Sequence, residues 1–98
     1  MREQRAMELI RETIGGLAES GMIGPVEVTP GTVLLGAGSP LDSLAFVTLI
    51  AELESRLQRE TGKDVSLVLT ELHDFTAGTP YLDAGTMARF TARLAGGE

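Results

Sequence analysis

The sequence predicts an all-α fold: a small four-helix bundle of three principal helices and one short one, with a long loop between the first and second. Two apolar stripes and one interruption predict it. Ala6, Leu9, Ile10, Thr13, Ile14 and Leu17 recur at i, i+3, i+4, i+7, i+8 and i+11, the spacing that lines one face of a helix. Phe46, Leu49, Ile50, Leu53 and Leu57 repeat that spacing. Between the stripes, Ser20 to Leu41 hold five glycines and three prolines, which no helix of ordinary length tolerates.

The first stripe predicts a helix over about residues 2–19, with Arg2, Arg5, Glu8, Arg11, Glu12 and Glu19 on its other sides. Gly15 and Gly16 each weaken it by roughly 1 kcal/mol relative to alanine, so a stop near Ile14 is also open. In the segment that follows, Val26, Val28, Val33, Leu34 and Leu35 read as apolar anchors tying a loop to the core. A structureless loop of that size is unusual in so small a chain and points to function or to hidden structure.

The second helix is predicted over about residues 42–59, with Gly62 as its C-terminal stop and Glu52 placed to pair with Arg56 one turn on. Two N-caps compete. Ser39 followed by Pro40, with Asp42 three residues on, satisfies one rule, and Asp42 itself satisfies another. Either leaves Ser43 in the first turn. Past Lys63, Val65 to Leu69 read as an extended segment and Thr70 to Phe75 as the short helix, before the Gly78-Thr79-Pro80 break. Met87, Phe90 and Leu94 mark a last helix over about residues 83–94.

The 98 residues suit one domain, spanning 1–98, with a core that needs no staples. There are no cysteines, which removes disulfides and Cys-based zinc sites and leaves any thiol chemistry to a bound group. Eight Lys+Arg against 14 Asp+Glu give a net charge of -6, which disfavours nucleic acid and anionic lipid. No stretch is long and apolar enough for a bilayer, and the first ten residues lack the apolar region of a signal peptide. A cytoplasmic monomer, bound to no membrane, is the expectation. One histidine and scattered carboxylates predict no metal site.

Leu41-Asp42-Ser43-Leu44 carries the chemistry. A serine at a helix start can simply cap it, which is the commonest use of an Asp-Ser pair before an apolar run. An anionic group on that serine would also be stabilised, by unpaired backbone N–H groups and the positive end of the helix dipole. As a hydrolytic nucleophile Ser43 would need His73, with Asp74 or Asp42 as a third member. That triad has little specificity, since no nucleophile-elbow motif surrounds the serine. Gly31, Gly36 and Gly38 lack the Lys-Ser/Thr of a phosphate-binding loop and read as loop punctuation. Beside Ser43, Leu44, Val47 and Ala51 form a second apolar row. At about 100° per residue this row falls to one side of the inward stripe, where it would suit a docking partner or simply widen the core face.

Ser39-Pro40-Leu41-Asp42-Ser43-Leu44-Ala45-Phe46-Val47 resembles the phosphopantetheine attachment motif of the acyl and peptidyl carrier protein family. The order of elements, a long first connection included, is similar over nearly the whole chain. The resemblance implies an acyl-carrier-protein type of bundle and a non-enzymatic role. Ser43 would receive 4'-phosphopantetheine from coenzyme A through a separate phosphopantetheinyl transferase, and the terminal thiol would carry acyl or aminoacyl groups as thioesters. Asp42 would help the transferase recognise its substrate, while Leu44, Val47 and Ala51 would face the transferase and the enzymes that load and use the cargo. The alternative from another class is an unmodified helical interaction module using the same apolar row.

Fatty-acid carriers commonly have acidic residues two and five positions after the serine, where this chain has Ala45 and Thr48. Leu41 stands where glycine is often found. The departures favour a dedicated carrier in a specialised fatty-acid, polyketide or nonribosomal-peptide pathway.

Overall fold

A computed structural model describes residues 1–36, 38–62, 67 and 81–96. Three helices dominate it: α1 (Glu3–Glu19), α2 (Ser43–Thr61) and α3 (Ala84–Leu94). Two short strands, β1 (Val33–Leu35) and β2 (Leu82–Asp83), pair antiparallel. The fold is therefore mostly helical but not all-α. The predicted short helix at Thr70 to Phe75, and most of the Val65 to Leu69 segment, lie outside the described residues, as does His73.

Each helix forms where its stripe demands burial. Ala6, Leu9, Ile10, Thr13, Ile14 and Leu17 are the buried residues of α1, which runs through Gly15 and Gly16 to Glu19 instead of stopping at Ile14. On α2 the buried set is Ala45, Phe46, Leu49, Ile50, Leu53 and Leu57, and on α3 Met87 and Phe90 lie among buried alanines. These faces meet in one apolar cluster, with α1 packed against both α2 and α3. Burial at roughly 25 cal/mol per Å² of apolar surface makes this cluster the main source of stability. Gly62 ends α2 in the left-handed conformation (φ 71°), its N–H reaching the Gln58 carbonyl at 2.9 Å.

The long connection is held, not structureless. Val28, Leu34 and Leu41 are buried anchors, but Leu35 is not: alternation along β1 buries Leu34 and leaves Leu35 49% exposed. Carbonyls of the connection also finish the start of α3, because the Ala84 N–H bonds the Thr32 oxygen and the Gly85 N–H the Pro30 oxygen, both at 2.8 Å. A Cβ on Gly85 would lie 3.1 Å from that Pro30 oxygen, so glycine permits the close approach. Asp83 supplies the cap, accepting from the Thr86 N–H at 2.8 Å. Leu67, beyond α2, is buried and donates its N–H to Glu54 Oε2.

Charges bind the outer edges of α1 and α2. Arg5 makes a two-pronged contact with Glu60, at 2.7 and 3.0 Å, and also reaches Glu8 and Glu12. Arg56, which the sequence pairs with Glu52, reaches Glu12 on α1 instead, because a long side chain on this flank lies over the neighbouring helix. The hydrogen bond from Arg5 holds the Glu60 carboxyl below the ordinary glutamate value of 4.5. Among the described residues no helix is long and apolar enough to cross a membrane.

Two polar features yield predictions. Thr13 and Thr91 are both buried, but whereas Thr13 Oγ1 donates to the Leu9 carbonyl at 2.6 Å, Thr91 Oγ1 has no hydrogen-bond partner among the described residues. Thr91→Val removes an unsatisfied hydroxyl at nearly constant shape and should stabilise the protein by about 1 kcal/mol. A thermal melt should show a rise of about 4 to 8 °C, and no rise would mean the hydroxyl is satisfied. The Arg5–Glu60 pair sets a pH dependence. Because the folded carboxyl titrates below its unfolded value, its contribution is complete above pH 4.5 and is lost as pH falls through the lower, folded value. Both side chains are partly exposed, so the effect is small and screened by salt. The melting difference between wild type and Arg5→Ala, measured at low salt, should shrink as pH drops below 4.5.

Candidate functional site

The start of α2 is built by four polar contacts. Asp42 is the N-cap: its backbone is extended, and Oδ1 accepts from the Ala45 N–H at 2.7 Å. Its carbonyl takes the first helical hydrogen bond, from the Phe46 N–H at 2.9 Å. Ser39, the competing cap, is used elsewhere. Its hydroxyl donates to the Leu34 carbonyl at 2.8 Å and accepts from the Leu41 N–H at 3.1 Å, which ties the end of β1 to the residues leading into α2. With Leu34 and Leu41 both buried, the approach to the helix is fixed at its two sides.

Ser43 is then the first helical residue, exposed to solvent. Its hydroxyl and its N–H, like the N–H of Leu44, have no partner among the described residues. The corresponding amides of α3, on Ala84 and Gly85, are both taken by carbonyls of the long connection. The two helix starts thus differ in chemistry. At α3 the first-turn donors are filled; at α2 a hydroxyl and two donors without partners among the described residues sit together at the positive end of a helix 19 residues long.

Such a site suits a phosphate ester. The ester would leave from an exposed oxygen, its anionic oxygens would find unpaired N–H groups nearby, and the one adjacent carboxylate is already engaged by the Ala45 amide. The residues present therefore fit a phosphodiester-linked group on Ser43. Of the residues a hydrolytic reading would need, Asp42 is committed to the cap and His73 lies outside the described residues.

The row beside the serine is exposed. Leu44 is 67% and Val47 57% accessible, and Ala51 is also exposed, while Phe46, Leu49 and Ile50 face inward. Ala45 is fully buried, and the Thr48 hydroxyl turns back onto the Leu44 carbonyl at 2.8 Å. Asp42, Ser43, Leu44, Val47 and Ala51 therefore share one accessible surface. Two features are not read from the sequence: Ser39 as the tie between strand and helix, and Leu35 as an exposed side chain at the end of β1.

Compared with protein-family models, with curated proteins and with solved structures, the chain matches none. The division of labour between the cap and its neighbour is directly measurable. Asp42→Ala should lower unfolding free energy by about 1 kcal/mol, whereas Ser43→Ala should stay within about 0.5 kcal/mol of wild type. Denaturant titration checks both values, and equal losses would mean that Ser43 shares the capping role.

Proposed function

We propose that this protein is a discrete carrier, modified on Ser43 with 4'-phosphopantetheine, that presents acyl or aminoacyl groups to the enzymes of a specialised pathway. The observation that carries the reading is the separation of roles at the start of α2. The ordinary reason for a serine there is capping, and Asp42 already does it. What remains is an exposed hydroxyl with no partner among the described residues, beside unpaired amides and an accessible apolar row.

In the loading reaction Ser43 Oγ forms a bond to the phosphorus of coenzyme A that bears the pantetheine arm. The pyrophosphate P–O bond breaks, adenosine bisphosphate leaves, and the hydroxyl proton passes to a base on the transferase. As the substrate of the transferase, the chain has no need to supply that base. The bound arm supplies a terminal thiol, which the cysteine-free chain lacks. The α2 backbone orients the ester oxygen, and the unpaired Ser43 and Leu44 amides offset the negative charge introduced with the phosphate. A carrier-type four-helix bundle, with its short helix in the region following α2, belongs to this same proposal.

Leu44, Val47 and Ala51 give the modifying and cargo-handling enzymes an apolar surface beside the reacting oxygen. Used without modification, that row alone would make the protein a simple interaction module. Incubation with coenzyme A, magnesium and a broad-specificity phosphopantetheinyl transferase, followed by intact-mass measurement, separates the two. One phosphopantetheine should be added to wild type and none to Ser43→Ala. No addition with several transferases, or equal addition to Ser43→Ala, contradicts the carrier reading. Val47→Glu should keep the wild-type melting temperature within about 2 °C and slow loading at least about tenfold, by placing an unpaired charge in the contact. Unfolding of that variant would instead place Val47 in the core.

A further inference from the structure

The residues that lead into α2 have few backbone donors with which to hold their course. Pro40 has no N–H, and the Leu41 N–H goes not to a carbonyl but to the Ser39 hydroxyl, at 3.1 Å. That hydroxyl donates its proton to the Leu34 carbonyl at 2.8 Å, with the Leu41 carbonyl a longer alternative at 3.3 Å. Leu34 is fully buried and lies in β1 between Val33, which pairs with Asp83, and Leu35, which pairs with Leu82. Asp83 caps α3 as Asp42 caps α2. One hydroxyl therefore stands between two helix starts: through Leu41 it reaches the cap of α2, and through β1 and β2 it reaches the cap of α3.

We infer that Ser39 is a positioning residue for the reaction at Ser43: its hydroxyl locks the approach to α2 onto the two-stranded sheet, so that Ser43 meets the transferase in one fixed geometry. The inference rests on the carrier reading and adds to it a residue upstream of the modified one. The Asp42 cap sets where α2 begins, but the Ser39 bridge sets where that beginning stands against the rest of the fold. Without the Ser39 hydroxyl the Leu41 N–H loses its partner at a buried residue, and an unpaired buried donor drives the approach toward other arrangements. Asp42 still starts the helix, but the turn bearing Ser43 is then competent for only part of the time. A substrate of that kind shows a KM raised by the inverse of its competent fraction, whereas the saturated complex reacts as before. A loss of overall stability in a chain that stays folded moves neither quantity.

The test is steady-state transfer of phosphopantetheine to the full chain by a broad-specificity phosphopantetheinyl transferase, at saturating coenzyme A and magnesium and at a temperature where circular dichroism shows each variant folded. Ser39→Ala should raise KM for the chain at least about fivefold, with kcat within about twofold of wild type. Ser39→Thr keeps the hydroxyl and suits the extended backbone that precedes a proline, so it should bring KM back to within about twofold. A KM for Ser39→Ala within about twofold of wild type, a loss that falls on kcat alone, or a Ser39→Thr variant as impaired as Ser39→Ala overturns the inference while leaving Ser43 as the acceptor. Hydrogen exchange on wild type needs no variant: the Leu41 amide should exchange at least about tenfold more slowly than in an unstructured peptide, and an unprotected Leu41 amide also overturns the inference. No transfer to wild type at all would sink the carrier reading itself.

Discussion

The hydrogen bond from the Ala45 N–H to Asp42 Oδ1, 2.7 Å long, decides what the rest of the candidate site can be. It sets the first residue of α2. With the start fixed at Ser43, the helical period turns Ala45, Phe46, Leu49 and Ile50 inward and leaves Leu44, Val47 and Ala51 outside. A start three residues earlier, at Ser39, would have spent that hydroxyl on the helix amides. As it is, Ser39 bridges Leu34 and Leu41, and the same bridge carries β1 up to the mouth of α2.

The two helix starts show how local chemistry separates structure from function. Both α2 and α3 are capped by an aspartate whose carboxylate accepts from the amide three residues on. At α3 the remaining first-turn donors go to Thr32 and Pro30, and the cost of leaving them unpaired is avoided. That start holds the long connection to the core. At α2 the equivalent donors, on Ser43 and Leu44, have no partner among the described residues.

Much of this was legible in the residues. Helical spacing in the three apolar stripes predicts α1, α2 and α3 to within a residue or two, because burial of one face is what stabilises each helix. The outward row of α2 follows from the same geometry. The sheet was not legible, since β1 has three residues and β2 two, too few for a period-two pattern to stand out. For the same reason Leu35 read as a core anchor when it is exposed. Ser39 and Asp42 were equally good caps by rule, and only the tertiary partners of Ser39 choose between them. Arg56 went to Glu12 and not to Glu52 because the i,i+4 rule describes isolated helices and knows nothing of α1 alongside.

The central claim is that the free hydroxyl at the start of α2, and no other serine, carries the phosphopantetheine arm. Phosphorus–proton correlation NMR on the protein after treatment with coenzyme A and a transferase tests it at the bond itself. A single phosphodiester resonance correlated with the β-protons of Ser43, accompanied by shifts of the Ser43 and Leu44 amides while Leu53 and Met87 in the core stay in place, is the predicted result. A correlation to the β-protons of Ser39 or Ser55, or no phosphodiester resonance after exhaustive treatment, would contradict it.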